Sequence, residues 1–164
     1  MAKECGYASF GSYPQTADGT KKPIEWLVLE KTGNQALLIS RYGLDAKPYN
    51  ETRTDITWER CTLRKWLNGE FLNTAFTPAQ QAAIALSNVS ADGNPKYSTN
   101  PGNPTKDKIF LLSIPEAERY FKSDESRECY PTAYAKSRGA WTSDKGQCWW
   151  WLRSPGDTQD SAAN

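Results

Sequence analysis

The run Cys148-Trp149-Trp150-Trp151-Leu152-Arg153-Ser154-Pro155-Gly156 constrains the fold more than any other part of the chain. On a strand, side chains alternate faces, so Trp149 and Trp151 share one face and Trp150 takes the other. Large rings on both faces fit a strand sandwiched inside a domain. Trp149 and Trp151 are expected in the core, together with Trp26 and Trp66. The strand is expected to stop at Ser154-Pro155-Gly156, because proline cannot donate to a ladder and glycine permits a sharp turn. The eight residues that follow, Asp157 to Asn164, are small and polar and read as outside the core.

A chain of 164 residues suits one domain, here 1–164, with a substantial core. A formal net charge of +1 provides no global field for nucleic acid or an anionic membrane surface. Aromatic residues make up 12% of a chain that is only 38% hydrophobic, so the core must lean on a few large rings between polar loops. Histidine is absent, which removes the usual general base, the commonest metal ligand and the Ser-His and Cys-His nucleophile pairs. Cys5, Cys61, Cys129 and Cys148 are far apart, with no Cys-x-x-Cys pair to hold zinc. They read as buried thiols, with two disulfides the alternative in an exported protein. The first residues lack the apolar stretch of a signal peptide, and no apolar run spans a membrane. The chain as given reads as cytoplasmic unless it belongs to a longer exported protein.

Phe10–Gln15 reads as extended and Thr16–Lys22 as a polar turn. Ile24–Glu30 and Gln35–Arg41 form a hairpin around Lys31-Thr32-Gly33-Asn34. Apolar spacing predicts a helix over Trp58–Asn68, ended by Gly69, with a further helical turn around Phe71, Leu72 and Phe76. Thr77-Pro78-Ala79-Gln80 and Ser113-Ile114-Pro115-Glu116 are capping boxes that open helices to about Leu86 and Phe121. Three Asn-Pro dipeptides place Asn88–Lys108 in an exposed loop. Lys108–Leu112 is a predicted buried strand and Pro131–Ser137 a short helix. The irregular order of strands and helices argues for α+β architecture.

Phe10-Gly-Ser-Tyr-Pro-Gln15, Ile24-Glu-Trp-Leu-Val-Leu29, Ala36-Leu-Leu-Ile-Ser40, Thr62-Leu-Arg-Lys-Trp-Leu-Asn68, Phe71-Leu-Asn-Thr-Ala-Phe76, Asp107-Lys-Ile-Phe-Leu-Leu-Ser113 and Trp150-Trp-Leu-Arg-Ser-Pro-Gly156 occur in order along the chain. In combination they resemble the bacterial domain of unknown function numbered 6273. The resemblance implies a C-type-lectin-like fold of the formylglycine-generating-enzyme type, with small antiparallel sheets, short helices and long loops. Relatives of that fold include the variable proteins of diversity-generating retroelements. Family members continue past this point into Asn- and Ser-rich repeats and a strand resembling Gly-Val-Arg-Pro-Ala. By resemblance, the closing hairpin is truncated here. An edge would then be left for a partner chain or for self-association, unless the fold has adjusted.

The oxidase chemistry of the formylglycine-generating enzyme requires a close, late cysteine pair holding copper. Cys148 has no cysteine after it, and Cys129 lies 19 residues before it. Fold analogy alone does not carry that reaction across. Calcium-dependent sugar sites resemble Glu-Pro-Asn or Gln-Pro-Asp followed by Trp-Asn-Asp, and none of these tripeptides occurs. No metal or cofactor is expected. Glu59, Asp107 and Glu116 are scattered and form no catalytic carboxylate pair, Glu116 being accounted for by its capping box. The expected role is a non-enzymatic recognition module for a protein or glycan, presenting loops around Asn88–Thr105 and Ser154–Asn164. Candidate ligand contacts are Asn94, Asn100, Trp150, Arg153, Ser154, Asp157, Asp160 and Asn164. Arg153 reads either as half of a buried ion pair that fixes the following loop or as a ligand contact. The alternatives are an enzyme distantly like the formylglycine-generating enzyme and an assembly domain pairing through an open sheet edge.

Overall fold

A computed structural model of the chain describes residues 6–164, so Cys5 lies outside the described residues. In chain order the strands and helices are β1 (Tyr7–Pro14), β2 (Lys21–Thr32), β3 (Gln35–Ser40), β4 (Tyr42–Gly43), α1 (Thr62–Trp66), α2 (Leu72–Ala75), α3 (Pro78–Ala83), β5 (Ser87–Val89), β6 (Thr105–Asp107), α4 (Ile114–Tyr120), α5 (Asp124–Arg127), β7 (Tyr130–Pro131) and α6 (Ala133–Ser137). This is the mixed α+β architecture expected, with small sheets, chiefly antiparallel, and short helices. Packing divides the chain into two compact units. One holds residues 6–46 with Glu128–Trp149, and the other holds Lys47–Arg127 with Trp150–Asn164.

The first unit is built on the antiparallel meander β1-β2-β3. The expected hairpin is present, with Thr32 facing Gln35 across Gly33-Asn34. Extra residues bulge β1 between Ser9 and Ser12, and β2 between Val28 and Glu30. β4 and β7 form a short parallel pair. Ile24, Tyr13 and Ala135 are buried here. The Tyr13 hydroxyl donates to Asp45 at 2.5 Å, and its ring meets that of Tyr134 edge-on at 5.9 Å. Trp26 is half-buried, with its indole N–H on the Phe10 carbonyl at 2.7 Å. The Thr132 side chain caps α6, accepting from the Ala135 N–H.

The second unit surrounds a core of Tyr49, Trp58, Cys61, Leu63, Val89 and Ala162, flanked by half-buried Trp66, Phe110 and Trp151. Helix α1 opens with Cys61 as its cap, the sulfur accepting from the Arg64 N–H. Gly69 does not end the helix as expected. The chain continues through a π-helical turn, Leu67–Phe71, into α2. Phe71, Leu72 and Ala75 are buried, and their packing outweighs glycine's low helix propensity. Both predicted capping boxes form, at Thr77/Gln80 and Ser113/Glu116. Helix α3 ends at Ala83, short of Leu86.

Lys108–Leu112 is not a strand. The ladder is β6, just before it, paired with β5. The Lys108 and Ile109 N–H groups go instead to the Asn68 side-chain oxygen, the Ile109 carbonyl accepts from Asn68, and Arg153 occupies the Leu111 and Leu112 carbonyls. The groups a ladder would require are already bonded. The aromatic run is not a continuous strand either. Cys148 makes one isolated bridge, to Cys129, whereas the Leu152 N–H bonds the Ala163 carbonyl and the Arg153 N–H that of Leu112. With its partner changing from residue to residue, no ladder builds up. Trp149 is 44% exposed, contrary to its expected place in the core. Trp151 packs on the core, with its N–H on the Lys47 carbonyl at 3.1 Å. The segment after Gly156 also departs from expectation, because it folds back. Pro155 bridges Ala162, the Ala163 N–H bonds the Ser154 carbonyl, and Ala162 enters the core.

Candidate functional site

Arg153 organises the second unit's polar loops. It is 3% exposed, and a buried guanidinium requires partners for its whole fork of donors. Nε donates to the Ser90 carbonyl at 2.9 Å, and Nη1 to the Leu111 carbonyl at 2.8 Å and to Glu116 Oε2. Nη2 donates to Glu116 Oε1 and Ser90 Oγ, each at 2.9 Å, and to Asp92 at 3.3 Å. Glu116 therefore grips the fork with both oxygens while Oε2 also closes the capping box on the Ser113 N–H at 3.0 Å. Planar, bidentate charge pairing of this kind is what arginine does and lysine cannot. The Arg153 carbonyl accepts from the Tyr49 hydroxyl at 3.3 Å. Ser154, also buried, accepts the Ile114 N–H on its Oγ at 3.0 Å.

Beyond this anchor, two loops, 90–104 and 154–164, are bonded together. Asn94 donates to the Pro155 carbonyl and Thr99 to the Gly156 carbonyl, each at 3.0 Å. The Gln159 side chain reads the Asn100 backbone with both ends of its amide, accepting from the N–H at 2.7 Å and donating to the carbonyl at 2.9 Å. It donates also to the Ile56 carbonyl at 3.1 Å. Arg53 pairs with Asp160 at 2.8 Å. Hydrogen bonds from Thr158 and then Arg53 hold the Asp160 carboxyl below the usual range.

Of the candidate residues, Asn94, Asn100, Ser154 and Asp160 are thus tied into one loop assembly. Asp157 is exposed and accepts from Ser161, and Asn164 is exposed. Trp150 is engaged by other groups: its N–H donates to the Arg127 carbonyl at 3.0 Å and its ring packs edge-on against Phe121. Sequence reasoning missed Gln159, whose polarity resembles that of its neighbours, and Tyr97, a 49% exposed ring on the first loop. It also missed the buried hub at Asp107, which accepts from Arg64 at 2.8 Å, Thr105 at 2.6 Å and Trp58 at 3.1 Å. Burial pushes the Tyr49 phenol and the Cys61 thiol up, so neither ionises near neutral pH. No cluster of three or more Cys, Asp or Glu side chains able to hold a metal ion occurs among the described residues.

The family model described as Domain of unknown function (DUF6273) matches residues 33–164, most of the chain and all of the second unit. The chain belongs to this family. Comparison with curated proteins and with solved structures returned no match. Within the DUF6273 region lie the Arg153 anchor, both loops and the cysteines at 61, 129 and 148.

Proposed function

We propose that this DUF6273 chain is a non-enzymatic recognition module with a C-type-lectin-like scaffold, which binds a protein or glycan ligand through the loops 90–104 and 154–164. The reading rests on the bonding of those two loops to each other and to the buried Arg153–Glu116 pair. Polar loops usually lose conformational entropy when they bind. Loops already locked by side-chain-to-backbone bonds lose less, and their exposed groups meet a ligand in fixed positions. Tyr97 offers an aromatic face for stacking, and Lys96, Asn103 and Asp157 are exposed polar residues of the same two loops.

The test is binding of the full chain to a glycan array and to a peptide library. The Tyr97→Ala and Gln159→Ala variants are run in parallel. Binding to a chemically related set of members, lost in Tyr97→Ala and weakened in Gln159→Ala, supports the reading. Failure to bind either collection, or binding that both variants leave intact, overturns it.

A further inference from the structure

Cys129 and Cys148 stand 19 residues apart in sequence, yet their sulfurs are 3.4 Å apart. The two residues form an antiparallel bridge, with the Cys148 N–H on the Cys129 carbonyl at 2.9 Å. Directly opposed residues on antiparallel chains hold their Cα atoms about 4.5–5.5 Å apart, within the span a disulfide bridges without backbone movement. The surroundings are shaped around the sulfur. A Cβ at position 43 would come 3.1 Å from Cys148 Sγ and 3.5 Å from the Pro131 Cα, so glycine at 43 leaves the sulfur its space. Both cysteines are half-buried, whereas Cys61 is fully buried.

We propose that Cys129 and Cys148 are a dithiol that closes to an intramolecular disulfide by exchange with a small-molecule disulfide such as oxidised glutathione. The closed bond ties β7 and α6 into one covalent loop.

The two thiols have different parts in the exchange. The hydrogen bond from Cys129, assisted by Lys136, holds the Cys148 thiol below its ordinary value. That same bond, with burial, pushes the Cys129 thiol up. Cys148 is the attacking thiolate. Its sulfur bonds one sulfur of the reagent, the reagent's S–S bond breaks, and one thiolate leaves. Cys129 then gives up its proton and bonds the Cys148 sulfur, expelling the second thiolate. The protein dithiol is oxidised, and one glutathione disulfide is reduced to two glutathione thiols. Cys61 takes no part, being fully buried and spent as a helix cap.

The full chain, reduced and then exposed to oxidised glutathione, is quenched with N-ethylmaleimide in denaturant and digested with trypsin. Cleavage after Arg127, Lys136, Lys145 and Arg153 puts the two cysteines on separate peptides, 128–136 and 146–153. The expected product is these two peptides joined by a disulfide, with Cys61 alkylated. Two alkylated or singly glutathionylated peptides with no link overturn the proposal, as does a link from either peptide to Cys5 or Cys61. In Cys129→Ser the resolving thiol is gone, so glutathione should accumulate on Cys148 about tenfold above wild type. Equal accumulation in wild type also overturns it.

Discussion

Replacing Glu116 with alanine strips the Arg153 guanidinium of its two-oxygen partner while the charge stays buried. Removing one member of a buried pair costs about 3–5 kcal/mol, because an uncompensated charge remains. Two features move the value here toward the lower end. Asp92 still reaches Nη2 at 3.3 Å, and the Glu116 side chain is 31% exposed. The same substitution opens the capping box at Ser113, whose N–H loses its acceptor, a change worth about 1 kcal/mol. The expected loss for Glu116→Ala is therefore about 3–4 kcal/mol. Glu116→Gln keeps an acceptor for the Ser113 N–H but removes the charge, and should lose about 2 kcal/mol. Arg153→Met with Glu116→Gln should cost less than the sum of the single changes, since the buried charge goes together with its two-oxygen partner and only the partly exposed Asp92 carboxylate is left. Urea unfolding followed by tryptophan fluorescence and far-UV circular dichroism measures these variants together with Arg153→Met alone. A Glu116→Ala loss below about 1 kcal/mol, equal to that of Glu116→Gln, would refute the account of Arg153 as a buried charge held by Glu116.

Gly102→Ala should destabilise by about 1–3 kcal/mol, as read from the urea midpoint, because its φ of +79° disfavours a side chain and the new Cβ would lie 2.8 Å from Thr57 Cβ. Asp18 accepts from Thr16 and Thr20, which lower its carboxyl to about 2. Its folded value is below its unfolded one, so the support it gives the 16–20 turn is present above pH ~4 and lost as pH falls through about 2. Carboxyl NMR shifts titrating at the ordinary aspartate value would contradict this. Closing Cys129 to Cys148 should raise stability by about 3 kcal/mol for a loop of this length, measured as a higher melting temperature that dithiothreitol abolishes. An unchanged melting temperature after verified closure would show that the unfolded chain is not constrained as argued.

The elements legible in the sequence are those whose determinants lie within a few residues. The β2–β3 hairpin follows from two apolar runs meeting at Gly33-Asn34. The capping boxes at Thr77 and Ser113 follow from a hydroxyl and a carboxyl or amide group three residues apart, both of which reach the same turn of backbone. The α+β class follows from the order of such elements. The Trp149 assignment was lost because alternation along a strand shows which side chains share a face, but not whether anything covers that face. Lys108–Leu112 has strand-like apolarity, yet Asn68 and Arg153 claim its backbone, and both lie about 40 residues from it in sequence.

Sequence alone therefore determined the β2–β3 hairpin, the two capping boxes, the family and the absence of histidine. Only the tertiary structure decided what surrounds Arg153. Its partners come from Ser90, Asp92, Leu111 and Glu116, 37 to 63 residues away, and together they supply the acceptors that a buried guanidinium requires. It likewise decided that Cys129 meets Cys148 and that residues 157–164 fold back to bring Ala162 into the core. Periodicity and capping arise from neighbours along the chain. A buried charge, a thiol pair and an interlocked pair of loops arise from neighbours in space, and composition carries no record of which distant segments will meet.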